Sequence, residues 1–168
     1  MSRPTANEYA PFYHGYILNT NAETVLDALD EQRLEAERLP QILNDVNPDY
    51  RYATDKWSVR QVLQHMIDCE RVFAFRALWF ARKHPAALEG FDENDFALVS
   101  DSKRSLQLML DEINAVHEST RFLFQSFEQN ELLRKGIASN WPVTVNALGF
   151  IIAGHFKHHV QILQERYL

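Results

Sequence analysis

The hydrophobic positions of this chain recur at helical spacing in four long segments that hold little glycine or proline, the pattern of amphipathic helices rather than of strands and tight turns. The first runs from Ala22 to Asn44, where Leu26, Leu29, Leu34 and Leu39 supply the apolar positions and Pro40 is placed to end or kink the helix. The second begins after Ser58, a side chain suited to an N-cap, and runs to Lys83 with Pro85 as its stop. The third follows Asp101 or Ser102 as N-cap and continues to Glu128. The fourth starts near Pro142 to Thr144, reads V-N-A-L-G-F-I-I-A-G-H-F-K-H-H-V-Q-I-L-Q-E-R, and reaches almost to the C-terminus. Between them lie polar or Pro- and Gly-bearing connections at Asn47 to Lys56, His84 to Ser100 and Asn130 to Trp141. The middle one is long for a bundle, and long connections without structure of their own tend to carry function. Four such helices predict an all-α fold, a four-helix bundle, in one domain over residues 1–168.

Composition narrows the class. At 168 residues, with 46% hydrophobic and 24% charged, the chain is long enough to bury a core and has neither a disordered nor a membrane profile. Its longest apolar stretch, Ala147 to Ala153 interrupted by Gly149, is far short of the roughly 20 residues of a membrane span. The opening M-S-R-P-T-A-N-E-Y-A-P-F-Y-H-G-Y places polar residues and prolines where a secretory leader has its apolar run. The expected location is the cytoplasm. A net charge of −6 with scattered acidic residues argues against a nucleic-acid partner. The lone cysteine, Cys69, has no internal disulfide partner and reads as a small core residue.

The histidines carry the chemistry. His155 and His159 are four residues apart on the last helix, so their side chains stand one turn apart on nearly the same face. The apolar stripe of Leu148, Ile152, Ile162 and Leu163 includes that face, which points the pair into the bundle, while His158 falls to one side. His65 lies at the edge of the stripe formed by Val62, Met66, Cys69, Phe73 and Ala77 on the second helix. An inward pair and a third imidazole from a facing helix give three nitrogen ligands and an open position, suited to Zn, Ni or Fe as divalent ions. Spacing alone leaves this balanced against histidines hydrogen-bonded within a core. H-E-x-x-H is absent because Phe156 follows His155, and no Glu-x-x-His occurs, so neither a zincin nor a ferritin-like di-iron site is supported. His117 shares the inward stripe of Leu106, Leu110, Ile113 and Phe124. It reads as a core or cavity-lining residue, with a fourth ligand as the alternative. His14, His84 and His158 read as surface or loop residues.

With W-S-V-R-Q-V-L-Q-H at Trp57 to His65, I-D-C-E-R-V-F-A-F-R-A-L at Ile67 to Leu78 and A-G-H-F-K-H-H-V-Q-I-L at Ala153 to Leu163, the chain resembles the DinB-like superfamily. The likeness extends from the aromatic Pro11 to Ile17 opening through G-F-D-E-N-D-F at Gly90 to Phe96 to the terminal E-R-Y-L. It implies a small four-helix bundle, often homodimeric, with a three-histidine metal site, and assigns His65, His155 and His159 as the ligands. Where relatives often carry an acidic residue directly after the first histidine of the last helix, this chain has Phe156.

The resemblance further implies a metal-dependent transferase acting with a low-molecular-weight thiol on a small-molecule substrate, and hydrolysis is the alternative chemistry. Hydrolysis calls for a general base, yet Asp68 and Glu70 project away from the direction of His65. Thiol transfer asks for no such group and is therefore the first expectation. Arg76 shares the side of His65 and suits a carboxylate of the thiol, or else a surface ion pair. Tyr13, Trp57 and Trp141 are candidates to line the pocket. A non-catalytic, metal-stabilised dimeric bundle needs the same three ligands and is the rival reading.

Overall fold

Polar side chains start each of the long helices. A computed structural model describes residues 2–100 and 103–168. After two single 3₁₀ turns come α1 (His14–Leu18), α2 (Val25–Ile42), α3 (Val59–Ala81), α4 (Glu93–Val99), α5 (Leu106–Gln125), α6 (Gln129–Leu132), strands β1 (Lys135–Ala138) and β2 (Trp141–Thr144), and α7 (Val145–Arg166). The caps of α2, α3, α5 and α7 are Thr24, Ser58, Ser105 and Thr144, whose side-chain oxygens each accept a backbone N–H of the first turn. Ser58 and Gln61 close a reciprocal capping box, at 3.0 and 3.2 Å. Of the expected caps of the third long helix, Asp101 and Ser102 lie outside the described residues; the helix starts at Leu106 behind Ser105. Helix α2 continues through Pro40 to Ile42, since a proline in a last turn removes only a terminal hydrogen bond.

The four long helices, α2, α3, α5 and α7, form the expected all-helical bundle. Helix α7 is buried almost all round from Val145 to Phe156 and packs against α1, α2 and α3, while α5 packs against α2 and α3. Glycine permits the closest approach. A Cβ on Gly154 would stand 1.8 Å from the Tyr16 carbonyl oxygen, so α1 rests directly on the α7 backbone. The core divides into two apolar clusters, one around Phe73, Phe124, Phe150 and Ile151, the other around Leu39, Leu63, Met109 and Leu163. Along each long helix the change of cluster falls at a polar level: near Gln32 on α2, beside Glu70 on α3, near His117 on α5 and at His155 on α7.

Two of the connections expected to be irregular are built. The segment His84 to Ser100 contains α4. The antiparallel strands β1 and β2 pair from Lys135↔Thr144 to Ala138↔Trp141 and turn at Ser139 and Asn140, whose φ angles of 51° and 65° match the left-handed requirement of a two-residue hairpin turn. Leu88 bridges to this hairpin, donating to the Ile137 carbonyl at 2.9 Å and accepting from the Ser139 N–H at 3.0 Å. That pairing ties the long connection to the start of α7. No helix among the described residues is long and apolar enough to cross a membrane.

Candidate metal centre

Helix α3 and helix α7 face each other across the bundle, and one turn of each carries imidazoles into the gap. His65 Nε2 stands 3.0 Å from His155 Nε2 and 3.1 Å from His159 Nε2. One ring nitrogen either carries a hydrogen or offers a single lone pair. Two linear hydrogen bonds from His65 Nε2 to both neighbours are thus beyond its capacity. An ion held by these residues would instead take one lone pair from each, and four-coordinate bonds of about 2.0–2.1 Å would set neighbouring ligand nitrogens about 3.3–3.4 Å apart, close to the two separations from His65. The donor set fits a divalent metal. Its electrostatics agree: burial, aided by the neighbouring His158, holds His65 down to about 4, and burial with His65 and His158 holds His159 at about 3. His155 is pushed well below the ordinary 6.5 by burial and then by the other histidines. All three are neutral near pH 7, the form that binds metal.

A soft donor lies alongside. Cys69, one turn after His65, places Sγ 3.5 Å from His65 Nδ1 and 3.7 Å from Nε2. The ligand atoms of His65, Cys69 and His155 all lie within 4.8 Å of one another, a grouping able to hold an ion that leaves His159 out. Burial raises the thiol pKa, with the charges of Glu93 and Asp68 adding to it. The i, i+4 spacing of His65 and Cys69 was available in the sequence, but a lone cysteine among apolar neighbours reads equally as core.

These groups open onto a cavity of about 560 Å³, the size of a small-molecule site. Trp57, Tyr16 and Phe73 wall it, with ring centroids 4.7 Å from His65 for Trp57 and 5.3 and 5.9 Å from His155 for Tyr16 and Phe73. Tyr13 and Trp57 line it as expected; Trp141 does not, and is exposed. Glu93 and Asn94, from the start of α4, also line it. Glu93 is the carboxylate that sequence reasoning did not find, because only the fold of the long connection brings α4 over α3. Arg76 also lines the cavity and is 3% exposed, so the surface ion-pair reading is corrected. A slightly larger surface cleft, about 630 Å³ beside Asp49, Arg51 and Arg60, contains none of the histidines.

The other histidines stand apart. His117 is buried beside Glu70, with Nδ1 3.8 Å from a carboxylate oxygen, and does not line the cavity. Glu70 accepts from Gln32 at 2.6 Å, on the side of α3 away from His65. Phe156 is buried in the apolar cluster around Leu39, Leu63, Met109 and Leu163 and does not line the cavity. His14 and His84 are exposed, whereas His158 is half-buried with its ring 5.6 Å from Tyr16.

Fold and site together define a helical bundle with a histidine cluster at the floor of a cavity. Residues 21–163 match the DinB superfamily, and the chain belongs to that family. It is similar to provisionally named metal-dependent hydrolases: one from Oceanobacillus iheyensis at 24% identity over 134 residues (75% of this chain, 78% of the relative), and one from Geobacillus thermodenitrificans at 29% over 133 residues (74% and 72%). Among solved structures it resembles YfiT from Bacillus subtilis, described as a probable metal-dependent hydrolase with an unusual four-helix bundle topology. The TM-score is 0.71 at 20% identity, covering 95% of this chain and 93% of that one, a likeness of fold.

Proposed function

We propose that this chain is a metal-dependent enzyme acting on a small molecule, with His65, His155 and His159 holding Zn, Ni or Fe as a divalent ion, and that its reaction is hydrolysis. The observation carrying the reading is that His65 Nε2 stands 3.0 Å from His155 Nε2 and 3.1 Å from His159 Nε2, with all three imidazoles lining one cavity. When bound, such an ion supplies Lewis acidity, lowering the pKa of a water or thiol so that it attacks at neutral pH. The aromatic wall of Tyr16, Trp57 and Phe73 orients the imidazoles and keeps bulk water from them. Glu93 lines the same cavity, and on this reading its carboxylate accepts the proton of the attacking water. The names of the relatives agree with hydrolysis.

Transfer of a low-molecular-weight thiol is the second reading. It is favoured by the position of Glu93, exposed at the rim and hydrogen-bonded to none of the three imidazoles, because thiol transfer needs no separate base. Glu93→Gln separates the two. Hydrolysis should fall by about 10²-fold or more, whereas thiol transfer should change only a few-fold. Assembly as a homodimer in the cytoplasm belongs to the same proposal; equilibrium sedimentation tests the dimer, and a single species at monomer mass counts against it.

The ligand set is tested by elemental mass spectrometry on untagged protein, wild type beside His65→Ala, His159→Ala and Cys69→Ser. About one ion per chain is expected, lost in both histidine variants and retained in Cys69→Ser. Loss in Cys69→Ser with retention in His159→Ala would transfer the assignment to His65, Cys69 and His155. Stabilisation by metal without turnover of water or thiol substrates would support the non-catalytic bundle instead.

A further inference from the structure

A guanidinium that is 3% exposed ordinarily lies against a carboxylate, since a buried charge without a partner is costly. Arg76 does not. Its Nη2 donates to the Glu89 carbonyl at 2.9 Å and to Ser139 Oγ at 3.2 Å. The phenol of Tyr13 is a further polar neighbour, and Arg76 pulls that phenol's pKa down against the rise that burial causes. Among the described residues no carboxylate forms an ion pair with Arg76. Glu93 lines the same cavity but is exposed at its rim.

The surroundings hold this cation in place. Ser139 sits at the left-handed turn of the β1–β2 hairpin, and the Leu88 bridge fixes that turn against the segment carrying Glu89. A Cβ on Gly90 would meet Ser139 Oγ at 3.3 Å, so chain and hairpin are in close contact there. Two independent segments thus anchor one nitrogen of a planar fork, while the guanidinium faces a cavity shared with the three imidazoles. The Phe73 ring lies between the two poles, 5.8 Å from the guanidinium carbon and 5.9 Å from the His155 ring.

We propose that Arg76 is a substrate-binding residue whose missing counter-ion is a carboxylate of the substrate, so that the enzyme takes small organic acids, carboxylate on Arg76 and reacting group toward the histidines. The inference deepens the proposed function by naming a substrate class. It applies equally whether water or a thiol attacks.

Isothermal calorimetry with straight-chain monocarboxylates from butanoate to octanoate, each beside its primary amide, tests it in the metal-loaded protein and again after chelation. The carboxylate is expected to bind about tenfold or more tighter than its amide at the best length, in both states, as a charge-assisted hydrogen bond requires. That preference should fall to within about twofold in Arg76→Met and survive in part in Arg76→Lys, which keeps charge but not the fork. Should Arg76→Met fail to fold, Ser139→Ala removes one anchor and should shrink the preference several-fold. No preference in the chelated wild type, or a preference unchanged in Arg76→Met and Ser139→Ala, overturns the assignment. Failure to bind metal would count against the histidine site alone, because the chelated protein reads Arg76 directly.

Discussion

A histidine buried without charge makes the unfolded chain the better proton acceptor. His65 and His159 titrate near about 4 and 3 when folded, against an ordinary 6.5. Between those values the unfolded state binds more protons, so stability rises with pH across the interval. The contribution is present above 6.5 and is lost as pH falls toward 4 and then 3. Urea midpoints of chelated protein should therefore drop steadily from pH 7.5 to 4.5, and His159→Leu should flatten that slope. A midpoint independent of pH would show that the imidazoles are not buried as neutral groups. His65, His155 and His159 were legible in the sequence because helical periodicity fixes which residues share a face. Arg76 was legible only as a residue on the side of His65, its burial was not, and Glu93 was not legible at all, because a long side chain's partners depend on segments far away in the chain.

Elements begin where local chemistry allows, and the starts of α3 and α7 were readable from Ser58 and from the Pro142 to Thr144 segment for that reason. Ser58→Ala removes an N-cap and should cost about 1 kcal/mol, measured by chemical denaturation, while metal stoichiometry stays the same. Gly154→Ala tests the opposite kind of constraint. Its Cβ would stand 1.8 Å from the Tyr16 carbonyl oxygen, so α1 must move off α7. The cost should be about 1–3 kcal/mol or more, and Tyr16 would be displaced from the His155 ring it meets edge-on at 5.3 Å. Wild-type stability in Gly154→Ala would mean that α1 does not seat as described. Helix α4 and the hairpin escaped the sequence pattern because seven- and four-residue elements carry too few apolar repeats to register. Tertiary contacts such as the Leu88 bridge hold them.

In the whole molecule the two apolar clusters flank the polar level rather than depend on it. Chelation should accordingly lower the melting temperature while leaving helical circular dichroism intact, since an ion held at a hundred times its Kd adds only about 2.7 kcal/mol. Loss of helix on chelation would make the metal a condition of folding. The sequence by itself determined the helical class, the long helices to within a few residues and the helix faces on which His65, His155 and His159 stand, because periodicity, caps and breakers act over one or two turns. Only the tertiary structure decided that Cys69 stands beside His65, that α4 brings Glu93 to the cavity, and that Arg76 is buried without a carboxylate. Those facts depend on how connections fold back across α3, and folding back is governed by packing between segments distant in the chain, which no local pattern records.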